Sequence, residues 1–388
     1  MICHVWKERV ALRILFLAPD VNLGERDGQS VHTLAISRAF RSLGHDVLLL
    51  ASAGIVSTTE ESGIEVANIR NLGRAARADA FRLSARFHPD LVYERRSSPK
   101  LGLYVARRMG IPLFLEINGL VSQESDSPAS LSRWPRRVVR RYLLGRCAKI
   151  FVPSAGLARA IAAETGLDLS RFQVVPNGVD LALFKPIDMQ LARRSLSWPE
   201  TGRIVTFVGK FVPWQGLETL LDAANMLRNH GLSWMLVGDG PLRDSIRRRI
   251  EDNGLAGTVL MTGPLDHPQV PLAIAASDLC VAPFSHGRND MIEISPLKIF
   301  EYMAMARPVI ASNVPGIREI VQGAGVVVEG DNAQALADAV SALLASPAKR
   351  EQMSRTGFEN ASRASWESRA KSILSAINQL LPKLPRNS

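Results

Sequence analysis

A chain of 388 residues that is 46% hydrophobic and 22% charged exceeds what one hydrophobic core organises, so two domains are expected, and no run in it approaches the roughly 18 apolar residues of a membrane-spanning helix. Cys3, Cys147 and Cys280 are scattered and lack C-x-x-C spacing, which argues against both a disulfide framework and a zinc site. The formal charge of +10 is uneven, +8 over residues 1–190 and +2 over residues 191–388, and without a binding motif or aromatic interleaving it does not point to nucleic acid.

Residues 1–10 show no apolar run with a small-residue cleavage site, so no export signal is read and a soluble, cytoplasmic chain is expected. Short apolar runs then alternate with helical patterns, the sequence form of parallel α/β layers. In the first half, strands are expected at Ile14–Ala18, Val47–Ala51, Leu91–Tyr93, Leu113–Glu116, Ile150–Val152 and Gln173–Val175. The clearest helix runs from Ser30 to Leu43, with Val31, Leu34, Ala35, Ala39 and Leu43 as its apolar face and Gly44 as its stop. The densest basic run, Arg133, Arg136, Arg137, Arg140, Arg141, Arg146 and Lys149, falls in a helical stretch. It reads either as a solvated face or as a surface for anionic lipid or a phosphate-bearing acceptor.

A break at Pro176-Asn177-Gly178, followed by Phe184-Lys185-Pro186, separates this series from a second one, and the boundary is drawn between residues 183 and 184. Strands follow at Ile204–Val208, Trp234–Val237, Val259–Met261, Leu279–Ala282 and Val309–Ala311, with helices at Leu217–Leu227, Leu242–Ile250 and Pro296–Met305. Each half thus reads as a doubly wound sheet, whose ligands collect outside the carboxyl ends of the strands.

The most informative stretch runs from Glu293 to Glu301 between two strands of the second half. Ser295 suits a helix cap and Pro296 a first helical position. The free amides that follow, from Leu297 on, and the positive helix end suit a diphosphate. Lys298 adds a charge in the first turn, and Glu293 and Glu301 are placed to accept from sugar or ribose hydroxyls. Two glutamates eight apart are a weak signal alone, since a chain this size holds about one such pair by chance. In this strand-loop-helix setting the segment resembles the donor site of retaining family-4 glycosyltransferases. The run from Phe207 to Gly216, the turn Val237-Gly238-Asp239-Gly240-Pro241 and the segment from Val175 to Asp180 match further family motifs in order and spacing.

The resemblance implies a GT-B fold, two Rossmann-like doubly wound domains facing across a cleft: residues 1–183 on the acceptor side, 184–365 binding the donor, and a terminal helix within 366–388 crossing back to the first domain. It implies a hexosyltransferase that moves a sugar with retention from a nucleotide-sugar; a uridine-linked donor and a lipid-linked, polysaccharide or small-molecule acceptor are expected. It assigns Glu301 to the donor ribose and Glu293 to the transferred sugar. Gly209, Lys210, Gln215, Gly240, Leu265, Ser295, Pro296 and Leu297 complete the donor-binding set, with Glu293, Asn118 and Lys298 as catalytic candidates. Acceptor-side candidates are Arg26, Asp27, Gly28, Glu94, Arg95 and Glu116; Glu116 and Asn118 read equally well as structural.

No D-x-D spacing or metal-ligand cluster is read, so no metal and no cofactor are expected, and Lys210, Lys298 and helix amides are left to neutralise the diphosphate. His32, His45, His88, His267 and His286 read as structural or solvated. Two departures from the family pattern stand out. A second glycine is missing beside Gly28, and Gln215 stands where the family usually has a lysine, with Lys210 in place of an arginine. Lys298 is expected to act as the second cation, and a lysine restored at 215 to bind donor at least as well. Two rivals stay open, a nucleotide-sugar epimerase of similar build and a non-catalytic GT-B partner subunit. An anionic membrane surface, at the inner face, is a further expected partner.

Overall fold

The computed structural model describes residues 11–25, 28–53, 64–69, 73–119, 133–291 and 293–383. It divides into two compact units, Met1–Pro176 with Trp366–Ser388, and Asn177–Ser365. The division thus falls after Pro176 rather than after Leu183, and the reason is packing. Val179 and Phe184 are buried in the core of the second unit, where the Val179 N–H donates to the Ala364 carbonyl at 2.8 Å.

The first unit runs β1 (Arg13–Asn22), α1 (Gly28–Ser42), β2 (Asp46–Ala53), β3 (Glu65–Asn68), α2 (Arg74–Phe87), β4 (Leu91–Arg95), α3 (Lys100–Met109), β5 (Leu113–Glu116), α4 (Arg133–Gly145), β6 (Lys149–Val152), α5 (Ala155–Thr165) and β7 (Phe172–Val174), and it takes back the terminal helix Trp366–Leu380. Its described strands pair in parallel in the order β3-β2-β1-β4-β5-β6-β7. Ile14, Leu15, Phe16 and Leu17 are all fully buried, as expected of a strand with both faces covered. The edge strand β3, Glu-Val-Ala-Asn, escapes a pattern reading because its exposed ends and half-buried centre present no apolar run.

The face that α1 buries is corrected. Its fully buried residues are Ser30, His32, Thr33, Ile36, Ser37, Ala39 and Phe40, whereas Val31, Leu34 and Ala35 are only half-buried. Small hydroxyl residues can turn inward because their donors are met locally. Thr33 Oγ1 donates to the Gln29 carbonyl and Ser37 Oγ to the Thr33 carbonyl, each at 2.8 Å.

The second unit runs α6 (Met189–Ser195), β8 (Arg203–Val208), α7 (Leu217–Met226), β9 (Leu232–Val237), α8 (Arg243–Asp252), β10 (Val259–Gly263), α9 (Val270–Ala275), β11 (Leu279–Ala282), α10 (Leu297–Ala304), β12 (Val309–Ser312), α11 (Ile317–Ile320), β13 (Gly325–Val328), α12 (Ala333–Leu344) and α13 (Pro347–Arg363). The described strands form a parallel sheet in the order β10-β9-β8-β11-β12-β13. The half-buried edge strand β13 is again one that the sequence reading does not contain. Two apolar clusters fill this unit, one centred on α10 and α9, the other on α7, α8 and α12.

Candidate functional site

In the second unit the strand order reverses between β8 and β11, and at such a switch point the loops leaving two carboxyl ends diverge and open a crevice. Backbone packing holds these loops. Gly216 opens α7 at φ +66, and a Cβ there would lie 1.7 Å from the Pro283 carbonyl oxygen, just past β11. Gly240 lies against Phe211 so closely that its Cβ would be 2.5 Å from the Phe211 carbonyl oxygen, while the Phe211 N–H donates to the Asp239 carbonyl at 2.8 Å. No side chain fits at either place, so the turns after β8 and β9 form one rigid rim.

Gly209 leaves space for a specific group. A Cβ at this residue would lie 2.6 Å from Lys298 Nζ. Lys298 is buried on α10, and its Nζ donates to Gln215 Oε1 at 2.7 Å and lies 3.9 Å from the centroid of the Phe207 ring. Burial pulls its pKa down to about 7, opposed by the charge of Glu301. Glu301 is partly buried one turn further on, and burial pushes it up to about 7 against the pull of Lys298. Lys210, on the same rim, is exposed. The structure thus brings Gly209, Gln215, Lys298 and Glu301 together. A lysine restored at position 215 would stand beside the Lys298 ammonium, where Gln215 now accepts its hydrogen bond.

The start of α10 differs from the sequence expectation. Pro296 is the cap, Leu297 the first helical residue, and among the described residues no side chain caps the helix. Ser295 instead faces Asn177: its Oγ accepts from the Asn177 N–H at 3.3 Å and its carbonyl accepts from Asn177 Nδ2 at 2.7 Å. Asn177, which the sequence places in the boundary break and in the family-like segment from Val175 to Asp180, is the residue that fixes the approach to α10. Tyr302, also missed, is buried with its hydroxyl accepting from the Val208 N–H at 2.9 Å, tying α10 to the end of β8. Glu293 is partly buried, and the neighbouring Ile294 N–H donates to the Pro315 carbonyl at 2.9 Å. Leu265 packs on the core of this unit.

The first unit corrects two members of the acceptor-side set, Glu94 and Glu116. Arg26 and Asp27 lie outside the described residues, and Gly28 opens α1. Glu94 is fully buried, accepts from the Gly102 N–H at 3.0 Å, and is pushed by burial to about 8, against the opposing charge of Arg96. Glu116 is also fully buried. Its carboxylate accepts from Tyr93, from Asn118 Nδ2 at 2.9 Å and from Arg369 Nη2 at 2.9 Å, and His32 Nε2 lies 2.5 Å away. Neither carboxylate is open to a ligand: both strand-end glutamates point into the unit. Arg95 and Asn118 remain half-buried at those strand ends. His32, expected to be structural or solvated, is structural: a packed partner of Glu116, also edge-on to Trp366 at 4.8 Å.

Two doubly wound parallel units, one with interlocked glycine turns at its switch point, define the GT-B class of fold. Solved structures of this class match nearly the whole chain. Sucrose-phosphate synthase from Thermosynechococcus elongatus superposes with a TM-score of 0.77 at 20% identity over 96% of this chain and 100% of that one. Anabaena HepE in complex with UDP-glucose superposes with a TM-score of 0.79 at 21% identity over 95% and 100%. The glycosyltransferase family 4 model matches residues 26–183 and the glycosyl transferases group 1 model residues 202–346. The chain belongs to the family-4, or group 1, glycosyltransferases. It is 28% identical to a D-inositol 3-phosphate glycosyltransferase of Segniliparus rotundus over 73% of its length and 64% of the relative's, and 26% identical to that of Pseudarthrobacter chlorophenolicus over 73% and 71%. It therefore spans about two thirds of the length of the first of these relatives.

Proposed function

We propose that the chain transfers a sugar with retention from a nucleotide-sugar, carrying uridine diphosphate, to a hydroxyl of a lipid-linked, polysaccharide or small-molecule acceptor. The observation that carries this is the convergence of Lys298, Gln215, Gly209 and Glu301 at the switch point of the second unit. A ribose hydroxyl suits the Glu301 carboxylate, the diphosphate suits Lys298, Lys210 and the first amides of α10, and Glu293 faces the transferred sugar. Such a reaction asks the protein to position two substrates and to stabilise charge on the leaving phosphate, which helps take the acceptor proton. No metal is assigned a part. The solved complexes of Anabaena HepE with UDP and UDP-glucose and the name of the relatives, D-inositol 3-phosphate glycosyltransferase, support this choice of chemistry.

A peripheral place at an anionic membrane, at its inner face, accompanies this reading. No helix among the described residues is long and apolar enough to cross a membrane, but α4 exposes Val138, Val139 and Tyr142 beside Arg137, Arg141 and Arg146. Apolar side chains flanked by arginines on one helix suit the boundary of a charged lipid surface.

The test is to incubate the chain with UDP-, ADP- and GDP-sugars and a panel of acceptors with chelator present, and to follow nucleotide release and glycosylated product. Glu301→Ala is expected to weaken donor binding by roughly 0.5–1.5 kcal/mol, or more for a charged acceptor, while Glu293→Ala lowers turnover more than binding. Wild-type kinetics in both variants would move the site elsewhere. Nucleotide binding without product would favour a non-catalytic subunit, and an isomerised donor without transfer would favour an epimerase.

A further inference from the structure

Three features of Lys298 oppose its charge in the free protein. The residue is 9% exposed, it lies in the first turn of α10, where the helix dipole repels a cation, and among the described residues it forms no ion pair. The carboxylate that acts on it belongs to Glu301, one turn along the same helix. Around the ammonium stand Gln215 Oε1 at 2.7 Å, the Phe207 ring at 3.9 Å and the Phe284 ring at 5.7 Å. The rings offset part of the lost hydration, and the amide oxygen meets one of three N–H donors. A buried ammonium with spare donors beside free helix amides is stabilised when an anion arrives.

We propose that Lys298 is the cation that recognises the diphosphate of the nucleotide-sugar and that Gln215 is its positioning residue, holding the ammonium over Phe207 by the amide oxygen. Lys210 keeps one cation on the loop after β8, and the second, which the resemblance places at position 215, stands in this chain on α10 as Lys298. Lysines at 215 and 298 would compete for one place, so Gln215 is the neutral acceptor that Lys298 requires. The space for Nζ comes from Gly209, where a Cβ would lie 2.6 Å from it. This deepens the donor reading above and rests on it.

Calorimetry and thermal melting of the full chain with UDP and with uridine test the assignment. Lys298→Met is expected to lose at least about tenfold in UDP affinity, the size of one charge-assisted hydrogen bond, with uridine binding unchanged. Because the lysine serves the ligand rather than the fold, the same variant should melt no lower than wild type at pH 6.5 without nucleotide. Gln215→Lys should bind UDP more weakly than wild type, a second readout that does not depend on the folding of Lys298→Met. Wild-type UDP affinity in Lys298→Met, a lowered melting temperature in that variant, or equal or tighter binding by Gln215→Lys would overturn the assignment while leaving the donor reading intact. A wild type that binds none of UDP, ADP and GDP would remove the donor reading itself.

Discussion

Two glutamates at neighbouring strand ends have opposite protonation behaviour because of what surrounds them. Burial alone would raise Glu116, but His32 and the charges of Arg369 and Arg95 hold it well below the usual carboxylate range. Glu94 has a weaker set of partners, and burial holds it at about 8, so it is protonated at neutral pH. In the unfolded chain it ionises near the ordinary glutamate value of 4.5. Between these values the folded state binds more protons than the unfolded one, so this group lowers stability as pH rises, by about 1.4 kcal/mol per unit. Glu94→Gln should therefore gain stability over wild type progressively from pH 5 to pH 8. The check is denaturant unfolding of both proteins across that range. A difference that stays flat with pH would mean that Glu94 is ionised in the fold.

At the scale of elements, the basic run on α4 is divided by its contacts. Arg137 donates to the Ala163 carbonyl at 3.3 Å, Arg141 to those of Thr165 at 3.1 Å and Gly166 at 2.5 Å, and Arg140 pairs with Glu164. These guanidinium groups meet the last carbonyls of α5, where cations also complement the helix dipole. Neutralising them would disturb the packing of the two helices and any lipid contact together. Val138 and Val139, 47% and 52% exposed, separate the two effects. Val138→Ser with Val139→Ser should reduce co-sedimentation with anionic vesicles several-fold and leave the melting temperature within about 2 °C, since exposed substitutions stay within about 0.5 kcal/mol. Undiminished sedimentation would leave α4 as a solvated helix.

At the scale of the whole molecule, the first unit is assembled from two segments far apart in sequence. Arg369, 3% exposed on the terminal helix, donates to Glu116 Oε1 and to the carbonyls of Val175 and Pro176. Trp366 packs edge-on against His32 on α1. Arg369→Leu would strand a buried carboxylate, a loss of about 3–5 kcal/mol, and should lower the unfolding midpoint of the first unit. Adding Glu116→Gln should recover part of it, because the stranded charge goes with the glutamate. Hydrogen exchange of β5 and the terminal helix would report this, and unchanged protection in Arg369→Leu would show that the helix is held by its apolar face alone.

The sequence by itself determined what depends on near neighbours: the alternation of strands and helices, the Pro-Asn-Gly break, and the glycine, proline and glutamate spacings that mark the family. Edge strand β3, Glu-Val-Ala-Asn, was not legible, because its half-buried centre between polar ends carries little apolar signal, whereas the Gly-Val-Val-Val of β13 carries a β-branched strand signal that the sequence reading does not use. Residue roles set by contacts across the chain were not legible either. Ser295 suits a cap in sequence but bonds Asn177, 118 residues away. Glu94 and Glu116 stand at strand ends where ligands gather, yet both turn inward, and Glu116 finds its arginine 253 residues on. Gln215 reads as a missing charge until Lys298, 83 residues away, is seen to donate to it. Periodicity reports which face of an element is apolar. Which buried polar group meets which partner is decided only when the elements pack, because the cost of burying a charge is met by contacts that no local pattern records.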